Sequence, residues 1–579
     1  MRKTIITLLL SLTMCSSVWS GNHIPYMKVV NGTKQLIVND QPWLMLAGEL
    51  HNSSTGSSHY MQPIWQRMAE KNLNTVLAVV SWELIEPEEG RFDFTLLDNI
   101  VSGARDAHLK VVLLWFGSWK NGASTYMPAW VKTNQKRFPL ACFKDGQKMN
   151  TLSTLGKQTC EADARAFAAM MAHLRETDQD HTVILVQVEN EIGTLDSSSA
   201  FAGTENRSMR DYSPLANKAF SSEVPAILTA YLKNHQQELH PAIANAWRAN
   251  GQKMKGTWEE VFGKGQPSTS TDDWQNEFPY LTEEIFMAWH YAKYVEHIAA
   301  LGKQEYQLPM YVNAWLKQDG GREPGIYPSG GPLPHVFDIW QAAAPHIDFF
   351  APDIYAVDSF DWVCSSFESK DNPLFIPETT SDADGAARSF YALGKYGAIC
   401  YSPFGIDGNG LMLSAKDEDK SYNKAYGTLK HLTPVIQKYA GTGQLSGLMI
   451  NDQKPYDSIL LGDYKISIAP FSAERAFAVA GVVLKDDPSK PHGGVAGLMI
   501  IEEAPGEYLV SGMGDMMIAI EKGDKSKAKN IGILSVDEVT FDENGLMRFH
   551  RLNGDETALG GAVIGKNDVK TFKIKMYQY

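Results

Sequence analysis

A buried strand that runs straight into acid marks the place where this chain could do chemistry. Val183-Ile184-Leu185-Val186-Gln187-Val188 passes directly into Glu189-Asn190-Glu191, and the shorter run Leu374-Phe375-Ile376-Pro377 ends in Glu378. Two opposed carboxyl groups can cleave a glycosidic bond. One protonates the leaving oxygen while the other attacks the anomeric carbon, and a separation of about 5–5.5 Å gives retention through a covalent intermediate. The two groups must differ electrostatically. The donor keeps its proton because of the neighbouring negative charge, and becomes the base once that charge disappears into the covalent bond. An Asn-Glu pair is common by itself, and Asn276-Glu277 occurs here with no strand before it. What distinguishes Asn190-Glu191 is the buried run in front of it and the matching strand-terminal Glu378.

The elements that must position these groups repeat. Short apolar runs occur at residues 44–49, 75–80, 111–115, 183–188, 310–313, 347–352, 374–377 and 398–401. They are continuous rather than alternating, as strands of a parallel sheet covered on both faces must be. Between them lie helical patterns such as Met61, Ile64, Trp65, Met68 and Phe167, Met170, Met171, Leu174, at i, i+3, i+4 and i+7. Eight such units predict an α/β fold, a (β/α)8 TIM barrel over residues 21–440, whose strand carboxyl ends carry the chemistry. Strands four and seven then lie on opposite sides of the mouth. An open doubly wound sheet would want a glycine-rich phosphate turn early on, and Ala47-Gly48-Glu49 does not supply one. More than a hundred residues separate strands four and five, a length that shapes a cleft or an interface. From Gly441 onward the texture changes to strand runs, including 466–469, 476–484, 497–501 and 572–576, with turn residues between them. These predict a C-terminal all-β sandwich domain over residues 441–579.

Composition narrows the function. With 53 Lys+Arg against 67 Asp+Glu the net charge is −14, which disfavours a nucleic-acid partner or an anionic membrane surface. Residues 1–20 read as an export signal: Arg2 and Lys3, an apolar run from Ile5 to Met14, and the small-residue site ending at Ser20. The expectation is an exported protein, periplasmic or extracellular. Lipid anchoring at Cys15 is the lesser reading, because Met14 stands where a lipoprotein signal wants a small residue. No later run approaches a membrane span of about 20 residues. Cys142, Cys160, Cys364 and Cys400 are too scattered for a metal knuckle, and the sequence cannot pair them. No cluster has metal-ligand spacing, so neither metal nor cofactor is expected. A homo-oligomer is left open.

The run Val186-Gln187-Val188-Glu189-Asn190-Glu191 resembles the signature of the family-35 glycoside hydrolases, the β-galactosidases. Ala47-Gly48-Glu49-Leu50-His51, Trp82 with Glu86-Pro87, Phe92-Asp93-Phe94 and Pro128-Ala129-Trp130 extend the likeness over roughly residues 30–195. The resemblance implies that Glu191 is the acid/base, that Asn190 binds the sugar at its 2-hydroxyl, and that Glu378 corresponds to the nucleophile. It further implies that Tyr355 hydrogen-bonds that nucleophile. Departures fall where typical members recognise galactose: Val79 for Tyr, Glu83 for Asn, Ile85 for His, Asn121-Gly122-Ala123 for Cys-Ala-Glu, and Ile192 for an aromatic. They mark a divergent branch. Glu49, Glu86 and Asp353 either bind hydroxyls or brace neighbours, and His51 either holds a hydroxyl or caps its loop. Trp82, Trp115, Trp119 and Trp315 serve either as sugar platforms or as core. The expected activity is a retaining exo-β-galactosidase acting on terminal β-galactosyl groups of a poly- or oligosaccharide of plant origin. The alternatives are another β-sugar, such as glucose, xylose or a uronic acid, or a carbohydrate-binding scaffold without turnover.

Overall fold

The computed structural model describes residues 23–195, 208–269, 273–317, 323–408, 420–471, 494–524, 526–557 and 561–579. The export signal at 1–20, Cys15 and the run 476–484 lie outside the described residues. Eight parallel strands form one sheet: β1 (Met45–Glu49), β2 (Thr75–Ser81), β3 (Lys110–Lys120), β4 (Val183–Asn190), β5 (Met310–Trp315), β6 (Phe349–Asp353), β7 (Phe375–Ile376) and β8 (Cys400–Tyr401). Their order around the sheet is β6-β5-β4-β3-β2-β1-β8-β7. The remaining seam, between β6 and β7, is closed by the backbone N–H of Ile354 donating to the carbonyl of Glu378 at 2.9 Å. At the other end of the seam the Asn372 amide imitates a strand. It accepts from Phe350 N at 2.7 Å and donates to Phe350 O at 2.9 Å. The sheet is a TIM barrel.

Two cores explain why the strand runs are apolar throughout. Met45, Ala47, Leu77, Val79, Val112, Leu114, Phe116, Tyr311, Phe349, Ala351 and Phe375 pack inside the barrel. The intervening Leu46, Val76, Ala78, Val111, Leu113, Val186 and Val312 face the helices outside. Leu36 and Val38, from a hairpin that precedes β1, join the interior set. At the carboxyl ends of the strands Glu49, Asn313 and Asp353 continue the inward-facing series.

A helix over Ser421–Tyr439 completes the barrel, its Tyr426 hydroxyl donating to the carbonyls of Ala47 and Tyr401. Beyond it, among the described residues, antiparallel sheets of six and four strands face each other across a core that includes Leu448, Ile466, Leu498, Ile518 and Phe572. This is the expected sandwich. Its larger sheet is covered on both faces: Leu498 and Ile500 point into the sandwich, while Met499 and Ile501 belong to the barrel's outer core. The helix Ala383–Lys395 lies directly on that face, so close that a Cβ on Gly497 would stand 2.1 Å from the Ala387 carbonyl oxygen. The four described cysteines carry free thiols. Among the described residues no helix is long and apolar enough to cross a membrane.

Candidate active site

The end of β4 is built by two residues in the left-handed region, Glu189 at φ 63° and Glu191 at φ 46°. Such conformations cost energy for non-glycine residues and persist only where the surroundings enforce them. Here they break the strand's alternation. Glu189 turns into the barrel wall, where its oxygens accept from Ser118 N at 3.0 Å and Trp119 N at 2.7 Å. Burial and the Asp163 carboxylate push its pKa well above the usual carboxylate range. A hydrogen bond joins it to Asp163, which two carboxyl groups can make only by sharing a proton. Asp163 in turn accepts from Trp115 Nε1 and the Ser118 hydroxyl. Gly117 makes room for this cluster: a Cβ there would lie 2.7 Å from both Asp163 and Glu189.

Glu191 faces the mouth instead. One carboxylate oxygen each from Glu191, Asp353 and Glu378 lies within 4.8 Å of the others. Glu191 and Glu378, nearly two hundred positions apart in the chain, thus converge in the fold. Asn313 pins two of the three, accepting from Glu191 N at 2.9 Å and donating to Asp353 at 2.8 Å. The Tyr355 hydroxyl donates to Glu378 at 2.5 Å. Burial pushes the Glu191 carboxyl up to about 7, with Lys120 pulling it down and Glu378 pushing it up. Burial and the same neighbouring carboxylates hold Asp353 and Glu49 well above their ordinary range. Both oxygens of Glu49 and both polar atoms of the Asn190 amide are buried without a protein partner. Unpaired buried polar atoms are costly, and a ligand's hydroxyls would satisfy them. The cation that stands at the three clustered oxygens is Lys120, its ammonium 3.7 Å from Glu191.

The sequence-predicted residues divide. Glu191, Glu378, Asn190, Glu49 and Tyr355 come together. His51 stands beside them, its Nδ1 2.6 Å from Asp407 and its ring edge-on to Phe404. Trp315 is half-buried at the end of β5. For three residues named as substrate-binding, Trp82, Glu86 and Trp119, the fold takes the other alternative, core or bracing. Trp82 is fully buried, donates to Glu86 at 2.9 Å and packs edge-on against Trp130. Glu86 spends its other oxygen on Gly90 N and Arg165. Both brace the wall because the helical turn after β2 folds back over the outer helices. Trp119 is 1% exposed, packed between Tyr291 and Tyr294 with its Nε1 on Thr151, so it too is core. Trp115 lies in the same wall. Truncating Trp82 to alanine is therefore expected to cost about 3–5 kcal/mol of stability, read by urea denaturation; a sugar platform would instead raise KM and leave the midpoint in place.

Lys120 and Asn313 were not legible as site residues. A lysine at a strand end usually points to solvent, and Asn313 reads as the polar stop of its strand. A cavity of about 550 Å³ lies between the outer helices, lined by Trp65, Asn99 and Gly103, and includes none of the carboxyls.

Comparison with known proteins bears on this geometry. Residues 52–315 match the family described as β-galactosidase, glycoside hydrolase family 42. Over those residues the barrel is similar, at a distance, to β-galactosidase-like glycoside hydrolases. Family 35 was the one its motifs resembled, and the matched family carries the same description. The glycoside hydrolase match ends at Trp315, before β6 and β7, so Asp353 and Glu378 stand on geometry. Residues 422–564 match a domain of unknown function. Among relatives, a β-galactosidase of Xanthomonas manihotis is 24% identical over 224 residues, 36% of this chain and 33% of that protein. β-Galactosidase 14 of Arabidopsis thaliana is 27% identical over 197 residues, 32% of this chain and 20% of that protein. The chain thus spans a third or less of the length of these relatives. The crystal structure of β-galactosidase from Bacillus circulans sp. alkalophilus aligns over 92% of this chain and 99% of that one, with 11% identity and a TM-score of 0.49. That of the psychrophilic Marinomonas ef1 enzyme aligns over 68% and 60%, with 13% identity and a TM-score of 0.44.

Proposed function

We propose that this glycoside hydrolase is a retaining exo-β-galactosidase that removes terminal β-galactosyl groups from poly- or oligosaccharides by double displacement. The observation that carries the reading is the close approach of Glu191 and Glu378, whose carboxylate oxygens lie within 4.8 Å, the spacing of direct attack rather than of an interposed water. Glu191 gives its proton to the glycosidic oxygen as Glu378 forms a bond to the anomeric carbon and the aglycone leaves with the bonding pair. Tyr355 aims the attacking carboxylate. Once Glu378 is an ester its charge is gone, Glu191 ionises more readily, and it takes a proton from the water that releases the sugar. Asn190 offers its unpaired amide to the 2-hydroxyl. The enclosure of these groups, with Glu191 and Glu378 each 4% exposed, suits a chain end better than a chain interior. The same reading takes the protein as exported, which N-terminal sequencing of the mature chain tests by a start near Gly21.

A second reading, the same mechanism on another β-sugar, is favoured by Val79. It packs inside the barrel and offers no hydrogen bond at a position where galactose-specific relatives are expected to supply a hydroxyl. A panel of aryl β-glycosides followed by proton NMR separates the cases. Galactoside turnover with the β-anomer formed first is the expected result. Turnover of another sugar alone moves the specificity, and an α-anomer formed first removes the mechanism.

The pH dependence follows with a definite sign. Glu191 must be protonated for the first step, so kcat/KM is expected to fall as pH rises through about 7. A pH–rate profile with an unactivated substrate checks it. An alkaline limb two or more units higher would contradict the assignment of Glu191 as the proton donor.

A further inference from the structure

Lys120 is a buried cation at the centre of the site. Its backbone is stitched to the acid/base: it pairs with Asn190 across the β3–β4 ladder. The turn that follows is closed by Lys120 N donating to Ala123 O at 2.8 Å, and by Gly122 N donating to Glu191 O at 3.2 Å. The side chain is 8% exposed, with the ammonium 3.7 Å from Glu191 and over the Phe116 ring at 5.2 Å. Groups from every surrounding element face it: Glu49 from β1, Glu191 after β4, Asp353 from β6, Glu378 after β7, and the Tyr126 phenol. Glu83, which faces the same phenol, is paired with Lys132 at 3.0 Å.

The geometry points to Lys120 as a positioning residue that sets how protons are shared among the four buried carboxyls, so that Glu378 is ionised while Glu191 still holds its proton. The inference rests on the double-displacement reading given above. Three carboxylates within 4.8 Å of one another, with Glu49 facing the same closed site, cannot all ionise, because each charge raises the cost of the next. Double displacement needs one of them charged and its opposite number protonated in the same pH range. A single ammonium, 3.7 Å from Glu191 and facing Glu378 in the same closed site, supplies the compensation that permits this. Burial opposes charge on the lysine, but the combined carboxylates outweigh it and keep it protonated.

Removing the charge while keeping the apolar stem has a signed consequence. In Lys120→Met both carboxyls of the pair become harder to ionise, so both limbs of the kcat/KM profile are expected to move to higher pH by about one unit or more. Lys120→Arg keeps the charge and is expected to hold both limbs within a few tenths of a unit. Lys120→Gln repeats the neutral arm if the methionine variant does not fold. Limbs that stay in place in the neutral variants, whether KM rises or activity simply drops, would overturn the proposal and leave Lys120 as a sugar contact or a packing residue. An arginine variant whose limbs move as far as the neutral ones would overturn it as well. Glu378→Ala run alongside separates the two levels: retained activity there sinks the double-displacement reading itself, whereas a dead Glu378→Ala with unmoved limbs in Lys120→Met sinks only the role of Lys120.

Discussion

Replacing Glu378 by alanine is expected to lower kcat by about 10³-fold or more, because the reaction loses the atom that forms the covalent intermediate rather than a group that merely assists it. The fold should not suffer. Glu378 is a buried acid among other acids, and its hydrogen-bond partner is a tyrosine that can turn to solvent or substrate. Taking one charge out of the cluster relieves repulsion, so the thermal midpoint is expected to stay or rise. Loss of activity together with loss of stability would indicate a structural carboxylate instead. The cavity left behind offers a direct check. Azide should enter where the carboxylate stood, attack from the same side and release the α-glycosyl azide. A variant that azide does not accelerate, or one that yields the β-azide, would place the nucleophile elsewhere, with Asp353 the nearest rival.

Glu191→Ala is expected to show the second large effect, and a conditional one. General acid catalysis contributes about 10²–10⁴-fold, but only where the leaving group needs a proton. For an oligosaccharide the loss should be full. For an aryl glycoside with a strongly acidic phenol the first step should survive and the covalent intermediate accumulate, visible as a burst of phenol. The alkaline limb set by this carboxyl should vanish from the profile for that substrate. Azide should now intercept the intermediate from the open face and give the β-azide, opposite to the Glu378 result. A loss of equal size for good and poor leaving groups would mean that Glu191 acts by holding the site together.

How much of this could be read from the chain depends on which force fixes each feature. The eight strands were legible because the barrel buries both faces of each, so residues such as Val111 to Trp115 are apolar without a break. Glu191 and Glu378 were legible because an acid directly after a buried run can go only to the rim. Direction was not. Trp82 and Glu86 also follow a strand, yet the turn carrying them folds outward, and their hydrogen bond to each other satisfies both in the wall. Glu189 and Glu191 sit two apart and would share a face in a regular strand. Two left-handed residues send one to Asp163 and the other to the substrate side. Lys120 escaped notice because the β3–β4 register slips between Trp115 and Lys120. That slip depends on Glu189 accepting from the Ser118 and Trp119 amides, a contact between segments seventy residues apart. The sandwich was legible from short strand runs separated by turn residues, but its second buried face, through Met499 and Ile501 against the barrel, follows only from docking.

Peptide mapping after trapping with a 2-deoxy-2-fluoro β-galactoside carrying a good leaving group tests the central pairing most directly. The fluorine slows both steps, the leaving group restores the first, and the sugar should remain on the protein as an ester. Mass spectrometry is expected to find one fluorogalactosyl group on the peptide containing Glu378. The label on a peptide containing Glu191 or Asp353, or an unlabelled protein that nevertheless turns over the parent galactoside, would contradict the account.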